Sequence, residues 1–143
     1  MYHVAIMKKS WGLTEKILSG DKKIESRWHD MRCAPWDKVA KGDKVYFKNS
    51  GEPIAIKAIV SKVLQFDGLT PKKVSLLIKK YGRADGIGKN EEIKFHKRFK
   101  DKKYCILVFL KKPKAVKSFN IDKRGFGMMA AWISVKNINT IKI

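Results

Sequence analysis

The run Ser19-Gly20-Asp21-Lys22-Lys23-Ile24-Glu25-Ser26-Arg27-Trp28 joins the end of one element to the start of another. Just before it, Leu13, Ile17 and Leu18 recur at helical spacing, which predicts a short helix over 14–19. Gly20 then stands where a left-handed C-cap residue belongs. If 23–28 is extended, alternation puts Lys23, Glu25 and Arg27 on one face and Lys22, Ile24, Ser26 and Trp28 on the other. If the turn continues through Lys22, Lys22 and Glu25 converge instead. Gly20, Lys22, Glu25 and Arg27 spell G-x-K-x-x-E-x-R. A buried Lys–Glu pair orients both groups and shifts both pKa values, which is how a proton-transfer or hydrogen-bonding pocket is built. Arg27 adds a planar fork suited to a phosphate or a base edge, and Trp28 adds a stacking face.

Working outward, residues 2–8 are mostly apolar and β-prone, and read as a buried first strand. Residues 29–42 read as irregular, with Pro35 breaking any helix. Residues 44–48 and 54–64 alternate on either side of the turn Asn49-Ser50-Gly51-Glu52, which predicts a hairpin. Thr70-Pro71 opens a second helix, with Thr70 as N-cap and the apolar stripe Val74, Leu77, Ile78, Tyr81. The stretch Gly82-Arg83-Ala84-Asp85-Gly86-Ile87-Gly88-Lys89 fails as a phosphate loop, because Arg83 replaces the first glycine and Asn90 the Ser/Thr. It reads as a mobile, basic loop. A short helix is predicted over 90–98 with Asn90 as cap. Strands follow at 104–110 and 114–119, and 132–143 alternates again. Five to seven strands with two or three interspersed helices do not alternate regularly. A small α+β barrel fits better than a doubly wound parallel sheet.

The chain has 143 residues, room for a single domain over 1–143. A hydrophobic fraction of 44% argues against a disordered tail. Lys and Arg number 33 against 13 Asp and Glu, for a net charge of +20, which points to a polyanionic partner. The excess is uneven: residues 71–143 hold 20 basic and 5 acidic side chains, and 94–124 hold 12 and 2. Cys33 and Cys105 make no metal or disulfide framework. His3, His29 and His96 lack ligand spacing, and a Cys33–His29 pair reads as a free thiol near a surface imidazole. No metal or cofactor is expected. With no apolar run of about 18 residues and no signal-like start, the chain is expected to be cytoplasmic, with no membrane partner.

The G-x-K-x-x-E-x-R pattern resembles the signature of the ASCH domain family, in the PUA-like superfamily. The similarity extends over about residues 3–65, through "ILSGDKKIESR", the "KGDKVYF" segment at Lys41 to Phe47 and the strand from Ile54 to Val63. It is weaker over 100–142 and absent from 68–100. The ending from Phe119 to Gly127, with Ala131-Trp132-Ile133, is loosely similar to EVE-type domains, which are thought to read modified bases with an aromatic pocket. The resemblance implies a β-barrel-like fold with a cleft lined by the motif, and a role in RNA metabolism. Some relatives are hydrolases of acylated cytidine or ribonucleases. In the amidohydrolase branch a Thr, the proposed nucleophile, stands where this chain has Glu25, while Lys22 matches that branch's functional Lys.

Three functions are therefore expected to compete. The first is an RNA-binding module, with DNA as a possible competitor. It would hold phosphates through Lys97, Arg98, Lys100, Lys111 and Lys112, and take a base beside Lys22, Glu25 and Arg27. Trp28 or Trp11 would stack on that base, with Trp132 next in line and Trp36 a further indole. The second is a small hydrolase using Lys22 and Glu25. The third is a protein-interaction domain whose charge maintains solubility.

Overall fold

The computed structural model describes all residues 1–143. One six-stranded mixed sheet curls into a half-barrel, in the order β2-β5-β4-β3-β1-β6, with three helices. The strands are β1 (Tyr2–Met7), β2 (Ile24–His29), β3 (Lys44–Asn49), β4 (Ile54–Phe66), β5 (Tyr104–Phe119) and β6 (Trp132–Val135). The helices are α1 (Leu13–Ser19), α2 (Pro71–Tyr81) and α3 (Glu92–Phe99). Only β1 and β3 run parallel, and every other neighbouring pair is antiparallel. The expected α+β barrel-like architecture is what forms.

Alternation sorts the strands into two faces. Ala5, Met7, Val45, Phe47, Val60, Ile106 and Val108 fill the inner face. On the outer face, Val4, Tyr46, Ile54 and Ile133 pack under the C-terminal segment, while Ile24, Cys105 and Leu107 pack under α2. The hairpin of β3 and β4 forms as the alternation predicts, and Thr70 caps α2 through its side chain. Gly20 ends α1 at φ 86°, a conformation that costs glycine no Cβ clash.

Four expectations need correcting. The segments 104–110 and 114–119 are one strand of 16 residues; register shifts against β4 absorb the irregularity that Pro113 introduces. The alternation over 132–143 yields only a four-residue strand, followed by a 3₁₀ turn over Ile138–Thr140 and a bridge between Ile121 and Lys142. The third helix starts at Glu92 after a 3₁₀ turn over Lys89–Glu91. Asn90 caps neither element: Gly88 is the N-cap of the 3₁₀ turn, its amide donating to the Glu91 carboxylate at 3.1 Å, and Glu91 is the N-cap of α3. The loop 82–88 is not a free basic excursion: Gly82, Asp85 and Ile87 are buried, and the Ala84 carbonyl accepts the amides of Lys23 and Ile24.

Candidate nucleic-acid interface

The motif sits on the turn after α1 and the first half of β2. The turn continues through Lys22, so Lys22 and Glu25 converge. The Lys22 ammonium is buried, and all three of its N–H donors are directed internally. They meet the Asp85 carbonyl at 2.6 Å, Asp85 Oδ1 at 2.5 Å and Glu25 Oε1 at 3.4 Å. Glu25 Oε2 in turn accepts from Arg27 Nη2 at 3.0 Å. Asp85 Oδ2 accepts from Ser26 Oγ at 2.5 Å, and Ser26 Oγ accepts from Trp28 Nε1 at 3.1 Å. Two carboxylates and two cations thus alternate in one chain, Asp85–Lys22–Glu25–Arg27, and their formal charges cancel. Burial disfavours the ammonium of Lys22, but Asp85 and Glu25 outweigh it and hold the pKa above the usual lysine range.

Gly86 makes this possible. It adopts φ 82°, and its backbone lies on the aliphatic stem of Lys22, where an added Cβ would meet the side chain at 3.3 Å. Lys16 Nζ also donates to the Gly86 carbonyl at 3.1 Å, tying the loop to α1. Asp85 and Ser26 are the site residues that sequence reasoning missed. The available signal was a single carboxylate between glycines in a half-chain with 5 acidic side chains.

Arg27 has a second duty. Strands β2 and β6 are the two ends of the sheet, and Arg27 spans the gap. Its Nη1 donates to the Ala131 carbonyl at 3.2 Å, its Nη2 reaches the Ile6 carbonyl at 3.4 Å, and its guanidinium lies 5.3 Å from the Trp132 ring centre. This staple holds the open seam of the half-barrel at a fixed width. A cavity of about 230 Å³ lies at that seam. Lys22, Glu25 and Arg27 form its polar floor, and Trp11, Trp28, Phe95 and Phe99 supply aromatic walls. Trp28 and Phe99 stack at 4.9 Å and 7°. The Arg98 guanidinium lies 4.5 Å from the ring centre of Trp11, and Lys8 approaches the same indole at 5.5 Å. His29 also lines the cavity. Burial, then the neighbouring Arg27 and Lys102, lower its pKa below the usual histidine value, and its Nε2 has no hydrogen-bond partner.

The predicted residues therefore divide. Lys22, Glu25, Arg27, Trp28 and Trp11 meet in one cavity, and Arg98 reaches its rim. Lys97 and Lys100 are exposed at the same end of α3. Lys111 and Lys112 lie elsewhere, around a second hollow with Gly20 and Lys23, behind the Lys22 turn. Trp132 is a core residue, buried and donating through Nε1 to His3 Nδ1 at 3.2 Å, so its face is not open to a base. Trp36 packs edge-on against Tyr104, outside the cavity. Cys33 is exposed. No helix is long and apolar enough to cross a membrane.

The fold has solved counterparts. The ASCH protein of Zymomonas mobilis superimposes with a TM-score of 0.68 at 17% identity, covering 97% of this chain and 90% of that one. A point mutant of the same protein gives 0.69 at 17% identity, with 97% and 93% covered. The hypothetical protein PH0355 gives 0.52 at 18% identity, with 81% and 100% covered. No family sequence model matches the chain, and no curated protein matches it. The fold is that of the Zymomonas mobilis ASCH protein, as the resemblance carried by the motif implied.

Proposed function

We propose that this chain is an RNA-binding domain that takes an unpaired base, plain or modified, into the seam cavity and holds the adjoining backbone with cations at its rim. One observation carries the reading: a cavity with aromatic walls over a charge-balanced floor, rimmed by Arg98 and Lys8. Aromatic walls suit a base because every base has a π-face, and RNA is read mainly where its bases are unstacked. The internal saturation of Lys22 supports a floor that sets the cavity's shape. Base-edge contacts then fall to the carboxylate of Glu25 and to the neutral imidazole of His29.

The test is binding of a hairpin RNA with an unpaired loop, followed by fluorescence anisotropy across a salt series. Affinity is expected to fall linearly on a log–log plot, with Lys97, Arg98 and Lys100 contributing to the slope. Trp11→Ala is expected to cost about 1–3 kcal/mol of binding, or roughly 5- to 150-fold in Kd. Absence of binding at low salt, or a Trp11→Ala variant indistinguishable from wild type, rejects the reading.

A hydrolase is the second reading, and the buried Glu25–Lys22–Asp85 cluster on the cavity floor favours it. In that case Glu25 would activate water, and Lys22, held as the ammonium, would position the Glu25 carboxylate. Turnover of acylated cytidine or RNA by wild type, abolished in Glu25→Gln, would establish this reading.

A further inference from the structure

A second cationic feature lies on the outer face of the sheet, apart from the cavity. The rings of Tyr2, Tyr46 and Phe119 form a continuous ladder, with Tyr2 stacked on Tyr46 at 6.4 Å and Tyr46 edge-on to Phe119 at 5.8 Å. One ammonium sits over each ring: Lys44 over Tyr2 at 5.2 Å, Lys57 over Tyr46 at 5.6 Å and Lys142 over Phe119 at 4.6 Å. Lys114 is the cross-strand partner of Lys57. None of the four lysines has a carboxylate within ion-pair distance.

Such an arrangement is unfavourable in the free protein. Like charges directly opposite one another weaken a sheet. Burial first, then the charges of Lys114 and Lys44, lower the pKa of Lys57 below the usual lysine range. Solvated lysines would swing apart, whereas here the ring quadrupoles hold three of them in place. A row of positioned, unneutralised ammoniums is what a chain of phosphates complements, and binding releases the counterions condensed on the nucleic acid.

We propose that Lys44, Lys57, Lys114 and Lys142 form a second site for RNA backbone, separate from the aromatic cavity and engaging a different stretch of the same strand. The inference rests on the RNA-binding reading above. Phosphates recruited here would add affinity without reading bases, because backbone contacts carry no sequence information directly.

The test compares wild type with a variant carrying Lys44→Gln, Lys57→Gln, Lys114→Gln and Lys142→Gln. Two probes are titrated: an unpaired RNA of about 20 nucleotides and a trinucleotide too short to leave the cavity, the latter followed by tryptophan fluorescence. For the long RNA, the variant is expected to bind at least about tenfold more weakly near 100 mM salt, its log–log slope falling by about 0.7 for each phosphate that is no longer neutralised. Trinucleotide binding is expected to be unchanged. The matching Lys→Arg variant is expected to keep the wild-type slope, which separates charge from any effect of the side-chain stems. An unchanged slope in the glutamine variant, or a reduced slope in the arginine variant, overturns the second site and leaves the cavity reading standing. If wild type binds neither probe, both readings fall.

Discussion

Lys22 and Lys57 are the same residue type in opposite circumstances. Lys22 is buried at the cavity floor between Asp85 and Glu25, and its charge is fully answered. Lys57 lies half-buried on the outer face beside Lys114 and Lys44, and its charge is answered only by an aromatic ring. Burial opposes both ammoniums, so the neighbours decide the outcome. Two carboxylates hold Lys22 charged as part of the fold. Two lysines leave Lys57 with a repulsion that an external anion relieves. A net charge of +20 therefore contains structural cations, which hold the molecule together, and free ones, which cost some stability and are available to a partner.

The sharpest way to break this contrast is to remove each ammonium in turn. Lys22→Met leaves Asp85 buried with no cation and Glu25 with Arg27 alone, and is expected to destabilise by about 3–5 kcal/mol in urea unfolding. Lys57→Gln is expected to stay within about 0.5 kcal/mol of wild type or to stabilise slightly. Equal effects would erase the distinction. Next in size, Gly86→Ala strains a left-handed position and presses on the Lys22 stem; a loss of about 1–2 kcal/mol is expected, read in the same assay. Arg27→Met removes the staple across the seam. It is expected to speed amide hydrogen exchange at Ile6, whose N–H bonds to the Ala131 carbonyl, more than in the β3–β4 hairpin.

The smallest effect is in the pH dependence. The raised pKa of Lys22 means that the folded state holds this proton more tightly, so its contribution is complete below the unfolded value near 10.5 and is lost as pH rises through the higher folded value. Lys57 has the opposite sign: its lowered pKa makes folding easier as pH rises toward 10.5. Stability is therefore expected to be flat or slightly rising up to about pH 10 and to fall above it. On the acid side, burial lowers the pKa of His3 below 6.5, despite the raising influence of Asp43. Stability is expected to decline as pH falls below 6.5, and His3→Gln to flatten that limb in a pH series of thermal melts.

Local signals were the legible ones. The α1 helix and its glycine cap, the β3–β4 hairpin and the Thr70-Pro71 start of α2 all depend on residues a few positions apart, where spacing decides geometry; the spacing of Lys22 and Glu25 left both convergence and opposite faces open. The errors lie where distant segments decide. The 104–119 region reads as two strands because Pro113 interrupts the pattern, yet β4 accommodates it by shifting register. The 82–88 loop reads as mobile because glycines permit mobility, but here they permit close packing against Lys22. Asp85 lies 63 residues from Lys22, and no local pattern pairs them.

The sequence by itself determined the class of architecture, the position of the motif and the sign of the charge, since periodicity, capping chemistry and composition are properties of the chain alone. Only the tertiary structure decided which charges are spent and which are free. Whether an ammonium meets a carboxylate or another ammonium depends on curling the sheet until its ends meet at Arg27, and on laying the Asp85 loop over the Lys22 turn. Coulomb interactions act through space, so the partner that sets a lysine's role can come from any part of the chain.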